Sequence, residues 1–380
     1  MADTILILGN GFDIAMGREI KYENFIKFEQ RLFTEPESDL QTFLDSKNIN
    51  THNYKDNLYL KFINKNKDTL GENWSNIEIM ISKLTDAMMY FKENSEVLFE
   101  CTGYANYYEF DNILPDISNY NAKHYLVEVI EEEIKRTEFE NKEKESLIEL
   151  LDHIFVKSLD YLIELLEIYL SYLDYLDFEV RNIQRNPTAL DEVPNLFNTY
   201  VLNFNYTNTS SHLFGTSEEK THFIHGRIDL DRTFSRINTM VFGIEDKEND
   251  VNSDLIPYQK YYQRVVKETG NKFEEFFRQT LQFPDNDFES YITSKNIIIY
   301  GHSVDPLDKE IFQKCFSLAE NGEYPYRFIF TYVDEPAKRS IIKNLAIILG
   351  KEKLIELTGK RNVVFVKSDD NERMDKELLP

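Results

Sequence analysis

The chain has 380 residues, of which 42% are hydrophobic and 29% are charged, a balance typical of a globular protein that buries a core. Acidic residues number 67 against 43 lysines and arginines, and the net charge of −24 argues against a long nucleic-acid footprint. Because only two cysteines occur, Cys101 and Cys315, a four-cysteine zinc site is excluded and no zinc is expected. No apolar run reaches the roughly 18 residues of a membrane helix, so we expect a cytoplasmic protein without a membrane partner.

A short apolar strand followed by a glycine-containing loop opens the chain. Residues Thr4–Leu8 predict a buried strand of a parallel sheet, and Phe12–Met16 predict the start of a helix. Glycines in such a loop let backbone N–H groups approach a phosphate, although a tight strand-to-helix turn has the same pattern. Asp13 is open to two interpretations, a ligand contact or a helix cap. The candidate binding residues in this segment are Gly9, Asn10, Gly11, Asp13 and Gly17.

The segment 36–194 differs in composition from its flanks. It contains few glycines, and apolar residues recur at helical spacing from Leu147 to Phe155 and from Leu159 to Leu170. We therefore expect a mainly helical insertion at 36–194, within a Rossmann-like α/β nucleotide-binding domain formed by 1–35 and 195–380. Inside the insertion, Trp74 and Glu78 lie four positions apart and would share a helix face, where a core Trp beside a surface Glu is the simpler interpretation.

Strand-like and helical stretches alternate after residue 195. The predicted strands are Tyr200–Phe204, Thr221–His225, Thr239–Gly243, Asn296–Tyr300, Arg327–Val333 and Val363–Val366. The predicted helices are Tyr258–Phe277, Pro306–Leu318 and Pro336–Leu349. This alternation predicts an α/β fold with a Rossmann-like, mostly parallel sheet that carries the large helical insertion.

Polar residues follow several of these strands, and open parallel sheets bind ligands beyond the carboxyl ends of their strands. Asn205 follows one strand, where an asparagine either holds a turn or binds a water or a ligand hydroxyl. His225 precedes a glycine at the end of another strand, and an imidazole there can act as an acid, a base or an orienting group.

A third strand end carries Gly301, with His302 and Ser303 positioned to line a pocket. Asp305 precedes Pro306, which is typical of a helix N-cap. A serine-hydrolase elbow needs a second glycine at position 305, so the segment does not predict a serine hydrolase.

Taken together, these motifs resemble the bacteriophage abortive infection AbiH family. The matching segments are Ile5–Ala15 with Gly17, Trp74–Glu78, Asn203–Thr207, His222–Gly226, and Gly301–Asp305 with Asp308. The first and last segments are the most specific, and the helical insertion is not specific. The resemblance implies a toxin-like effector of phage defence that responds to a phage or host trigger protein.

The same layout is similar, at a distance, to sirtuin-like NAD-consuming domains. By this resemblance, Gly9, Gly11 and Gly17 match the loop that holds NAD, Asn205 matches the asparagine that positions ribose or water, and His225 matches the catalytic histidine.

Later in the chain, Gly301 and Ser303 match a late cofactor contact, and Asp308 matches an acid of sirtuin-like defence proteins. Glu78 follows only the AbiH pattern. The bulky Phe12 departs from the sirtuin loop, and the absence of a four-cysteine zinc ribbon counts against protein deacetylation but not against NAD hydrolysis.

The resemblance therefore implies hydrolysis of NAD to nicotinamide and ADP-ribose, with Asn205, His225 and Asp308 as catalytic residues, and by analogy a homo-oligomer. One alternative is a metal-dependent nuclease or nucleotide hydrolase that uses carboxylates in the same cleft. Another is a nucleotide sensor without catalytic activity. The carboxylates of the metal-dependent alternative are Asp13, Glu78, Asp305 and Asp308.

Overall fold

The computed structural model describes residues 2–34, 38–66, 75–102, 119–136, 144–244, 256–283 and 290–380. The chain folds into two compact units: a sheet unit of Met1–Ile20, Leu170–Met240 and Lys267–Pro380, and a helical unit of Lys21–Tyr169 and Val241–Val266. The helical unit begins before the expected residue 36, because Phe25 and Phe28 pack on Tyr169, with ring centroids 5.5 and 5.1 Å apart.

The sheet unit contains a six-stranded sheet and a separate antiparallel pair of short strands. The strands are β1 Asp3–Leu8, β2 Tyr200–Asn203, β3 Thr221–Phe223, β4 Leu281–Gln282, β5 Tyr291–Ile292, β6 Lys295–Tyr300, β7 Tyr326–Tyr332 and β8 Val363–Lys367. The large sheet is parallel throughout, in the order β3-β2-β1-β6-β7-β8. Without the short pair this is the Rossmann order 3-2-1-4-5-6, which reverses between β1 and β6. The predicted Rossmann-like fold is confirmed.

Both faces of the sheet are buried. In β1, Ile5 and Ile7 face one apolar cluster, whereas Leu6 and Leu8 face the other, because successive side chains of a strand point to opposite sides. This explains why the strand is a continuous apolar run in the sequence. The helices of the sheet unit are Asn10–Ala15, Thr209–Phe214, Lys309–Asn321, Glu335–Leu349, Lys351–Gly359 and Asn371–Glu377.

The helical unit is built from amphipathic helices, as the periodicity of its apolar residues predicts. They are Tyr22–Thr34, Ser38–Ser46, Leu58–Lys65, Ser75–Glu93, Ser95–Cys101, Tyr120–Arg136, Lys260–Val266 and Lys144–Asp174, whose last residues belong to the sheet unit. Among the helices of the described residues, none is both long enough and apolar enough to pass through a bilayer.

Two predicted elements are wrong. The expected strand Thr239–Gly243 does not form, because the Gln263 side chain accepts from the Phe242 N–H and donates to the Phe242 carbonyl, replacing a neighbouring strand. The expected helix Tyr258–Phe277 is divided into the α-helix Lys260–Val266 and the 3₁₀ segment Lys272–Phe277. Between them Glu268 and Gly270 have positive φ values of 53° and 64°, which a helix does not accommodate.

Candidate functional site

Loops that follow three strands meet at the carboxyl edge of the sheet. Leu8, the last residue of β1, pairs with Asn203 of β2 on one side and with Tyr300 of β6 on the other. The next residues of all three strands therefore leave the sheet side by side, where the strand order reverses. In doubly wound sheets this reversal point is the position of the ligand crevice.

Gly9, Gly11 and Gly301 hold the first and last of these loops in close contact. A Cβ atom at Gly9 would lie 2.7 Å from the Cα of His302, and one at Gly11 would lie 2.9 Å from the Cα of Gly301. The Gly9 N–H donates to the Tyr300 carbonyl (3.0 Å), and the Gly11 N–H donates to the Gly301 carbonyl (2.8 Å). The expectation that these two N–H groups face a phosphate is therefore wrong, since both are used to join the loops.

The segment Asn203–Thr207, which begins at the last residue of β2 and is called the asparagine motif below, is held by hydrogen bonds of its own side chains. Asn203 Oδ1 accepts from the Asn205 N–H (3.0 Å), and Asn203 Nδ2 donates to the Thr207 carbonyl (3.0 Å). Asn203 therefore holds the turn through its side chain, which is one of the two roles expected of an asparagine at this strand end. Asn205 Nδ2 donates to the Gly9 carbonyl (3.0 Å), which fixes the amide against the first loop. The Asn205 Oδ1 is then the acceptor group that its side chain offers to a water or a hydroxyl.

Two histidines flank the Asp308 carboxylate. His225 Nε2 lies 3.0 Å from Asp308 Oδ1, and His302 Nε2 lies 3.4 Å from Asp308 Oδ2. All three side chains are largely buried. Phe204 packs edge-on against both imidazoles, with its ring centroid 5.6 Å from that of His225 and 4.4 Å from that of His302. A carboxylate that orients an imidazole in a buried setting is the arrangement of a general base.

The backbone after His302 determines where that ring carries its proton. The Val304 N–H donates to His302 Nδ1 (2.8 Å), so the neutral ring carries its proton on Nε2, which faces Asp308. Val304 has a φ of +56°, in the left-handed region that β-branched residues rarely adopt, and its side chain is fully buried. Such backbone strain costs about 1–3 kcal/mol and clusters at functional sites. Here the hydrogen bond from the Val304 N–H orients the His302 ring so that Nε2 faces Asp308.

Asp13 lies in a polar cluster beneath the first loop. Its side chain is fully buried, and its Oδ2 accepts from the Thr207 hydroxyl (2.5 Å). It does not cap the helix Asn10–Ala15, whose N-cap has no side-chain hydrogen bond. The capping interpretation of Asp13 is therefore wrong, and its carboxyl instead links this helix to the asparagine motif.

Arg18 occupies the centre of this cluster. Its Nε donates to Asp177 (3.0 Å), one terminal nitrogen donates to the Thr209 hydroxyl (2.6 Å), and the other pairs with Asp174. Burial raises the pKa of Asp13, and Arg18 only partly offsets this effect. Burial also raises the pKa of Asp174, whereas the surrounding carboxylates, Asp174 foremost, raise the pKa of Arg18 despite its burial. Arg18 is therefore the fixed cation of the cluster, and burial makes both Asp13 and Asp174 weaker acids than an exposed aspartate.

The remaining predicted residues of the sheet unit have local roles or partial exposure. Gly17 lies just beyond the helix Asn10–Ala15 and has a φ of +83°. Asn10, the first residue of that helix, is half-buried. Ser303 is exposed, and its carbonyl accepts from the Asn344 side chain (3.0 Å). Asp305 accepts from the backbone N–H of residue 307 (3.0 Å), which confirms the predicted N-cap.

Glu78 belongs to the helical unit. Its Oε1 lies 3.0 Å from the Nζ of Lys260, and both side chains are largely buried. Trp74, which precedes it in the matching motif, lies outside the described residues. The structure therefore brings Gly9, Gly11, Asn205, His225, Gly301, His302 and Asp308 together and gives Glu78 a cationic partner in its own unit.

Several residues that the structure places in the site were assigned no function from the sequence. Phe204 and Thr207 lie within the asparagine motif, and this position was the sequence feature that could have identified them. Arg18 directly follows Gly17, and its position next to that candidate residue could have identified it in the same way. The positive φ of Val304 has no counterpart in residue type, because nothing in a valine predicts a left-handed backbone.

Comparison with known proteins gives one finding. The model of the family described as Bacteriophage abortive infection AbiH matches residues 5–330, a range that includes every loop of the site. No curated protein and no solved structure matches the chain. Since the family match spans most of the sequence, the chain belongs to the bacteriophage abortive infection AbiH family, and its role is in abortive infection.

Proposed function

We propose that this protein hydrolyses a nucleotide at the carboxyl edge of its sheet, and that the substrate is NAD, cleaved to nicotinamide and ADP-ribose. The observation that carries the proposal is the convergence of Asn205, His225 and Asp308 at the reversal point between β1 and β6. The identity of the substrate comes from the resemblance of the same residues to sirtuin-like NAD-consuming domains.

His225 is the general base in this proposal. An ionised Asp308 accepts from the His225 Nε2–H across 3.0 Å, so the neutral imidazole has its basic nitrogen at Nδ1. That nitrogen takes a proton from the attacking water. Asp308 then stabilises the imidazolium that forms. The edge-on contact with Phe204 fixes the orientation of the His225 ring.

The hydrolysis needs no reactant other than NAD and water. The bond between ribose C1′ and the nicotinamide nitrogen breaks, and its electron pair neutralises the pyridinium charge. The water oxygen forms the new bond to C1′, and its proton passes to His225. Asn205, with its amide fixed on Gly9, holds the water or a ribose hydroxyl through Oδ1. The N–H groups of Gly9 and Gly11 do not contact the pyrophosphate, because they donate to the carbonyls of Tyr300 and Gly301.

The test is release of nicotinamide from NAD by the purified full-length protein, followed by chromatography. We expect His225→Ala to lower the rate about 10²- to 10⁴-fold, the usual contribution of a general base. The matched control is His52→Ala, because His52 is exposed in the helical unit. Equal rates for the wild type and His225→Ala would contradict the assigned base. Tight binding of NAD without turnover would favour the non-catalytic sensor instead.

The metal-dependent alternative has no observation in its favour. Within the described ranges, no group of three or more His, Cys, Asp or Glu side chains is arranged to hold a metal ion. Asp13 is fully buried in its own cluster, and Asp305 is a helix cap.

A further inference from the structure

Phe234 is an exposed aromatic residue whose backbone is fixed. It is 60% exposed, although large apolar side chains are usually buried. The Asp229 carboxylate accepts three backbone N–H groups, from Thr233 (2.7 Å), Phe234 (2.7 Å) and Ser235 (3.1 Å). Burial opposes the charge of Asp229, but these donors hold its pKa below the ordinary value, so the carboxylate is ionised at neutral pH. These three hydrogen bonds therefore fix the backbone of the loop that presents Phe234.

Arg227 supports the Phe234 ring. Its guanidinium carbon lies 3.8 Å from the Phe234 centroid and 4.9 Å from the Phe223 centroid. Two hydrogen bonds of 3.2 and 3.3 Å join the guanidinium to Glu218, which also accepts from Asn208 Nδ2 (2.8 Å). These contacts fix the plane of the guanidinium, and the guanidinium in turn supports the aromatic ring above it.

Arg227, which supports this ring, belongs to a segment that lies next to the candidate site. Arg227 comes two residues after His225. The Ile228 N–H donates to the Tyr206 carbonyl (3.0 Å), and Tyr206 directly follows Asn205. The segment that carries Arg227 therefore runs alongside both the asparagine motif and the proposed base.

We propose that the exposed face of Phe234 is the stacking surface for the adenine base of the nucleotide substrate, an inference that rests on the proposed function. Every nucleobase has a flat π-face, and aromatic side chains bind it by stacking without needing a particular base edge. A ring that is ordered in advance loses little conformational entropy when the base binds. NAD presents two bases; the nicotinamide end lies at His225, and the adenine end takes Phe234.

The test is calorimetric titration of the full-length protein with ADP, which has adenine and pyrophosphate but no bond to nicotinamide. We expect Phe234→Ala to raise the Kd about 5- to 150-fold, and Phe234→Tyr to retain the wild-type affinity because it keeps the ring. Phe234→Leu keeps apolar bulk without a π-face and should weaken binding as alanine does. The matched control is Phe197→Ala, because Phe197 is 62% exposed in the same unit and carries no proposed role.

The outcomes separate this inference from the proposed function. If NAD is not hydrolysed but Phe234→Ala weakens ADP binding, NAD hydrolysis fails and the stacking surface stands. If NAD is hydrolysed and the KM for NAD is the same in Phe234→Ala, the stacking surface is refuted and hydrolysis stands. A wild type that binds no ADP, or a Phe234→Leu variant that binds like the wild type, also overturns the inference.

Discussion

Replacing Gly301 with alanine tests whether the loops after β1 and β6 can pack together only because Gly301 has no side chain. Gly301 has a φ of +70°, and a left-handed backbone costs a residue with a Cβ about 1–2 kcal/mol. The new Cβ would lie 2.1 Å from the Phe12 nitrogen and 2.4 Å from the carbonyl carbon of Gly11. Because both neighbours are backbone atoms, the loops must separate, and overpacking of this kind adds about 1–3 kcal/mol. The expected loss in the free energy of unfolding is therefore about 2–5 kcal/mol.

Two other glycines of the sheet unit separate these contributions in urea unfolding followed by circular dichroism. Gly270 has a φ of +64° with no atom within 4 Å of an added Cβ, so Gly270→Ala should cost only the conformational term of about 1–2 kcal/mol. Gly359 ends a helix, also has no such neighbour, and should be neutral or slightly stabilising as alanine. A Gly301→Ala variant that loses no more stability than Gly270→Ala would refute the steric reasoning.

Three further predictions concern the polar contacts. Arg18→Met leaves buried carboxylates uncompensated and should lower the free energy of unfolding by about 3–5 kcal/mol, whereas Arg181→Met, at a half-exposed ion pair, should cost less than about 1 kcal/mol. Asp13 has a raised pKa, so its contribution to stability is complete below pH 3.8 and is lost as the pH rises through that pKa. Urea unfolding at several pH values should therefore show the wild type losing stability relative to Asp13→Asn over this range. In neutral His302 we expect the proton on Nε2, measured by long-range ¹H–¹⁵N NMR with His302→Gln to assign the signal.

Each of these has a contrary outcome. Equal losses for Arg18→Met and Arg181→Met would show that the Arg18 cluster is solvated and not buried. A difference between the wild type and Asp13→Asn that is constant with pH would show that the Asp13 pKa is not raised. A neutral His302 with its proton on Nδ1 would contradict the hydrogen bond from Val304.

Local sequence patterns were sufficient to predict a mostly parallel sheet whose strands alternate with helices. Runs such as Thr4–Leu8 and Asn296–Tyr300 are apolar on both faces, and only a strand covered on both sides buries such a run. Polar residues directly after these runs then had to lie at one edge, because parallel strands end on the same side of a sheet. His225 and Asn205 became candidates through this relation and through the family resemblance, and the capping role of Asp305 followed from its position before Pro306.

The tertiary structure decided the order of the strands and the partners of each side chain. Nothing near Asp308 in the sequence indicates that its carboxylate lies between His225 and His302, because the strand pairing that brings them together joins distant segments. The same holds for the engaged N–H groups of Gly9 and Gly11 and for the strand that fails to form at Thr239–Gly243. Residue type and periodicity report on neighbours within a helix or strand, whereas register, loop packing and backbone strain depend on contacts that only the folded chain makes.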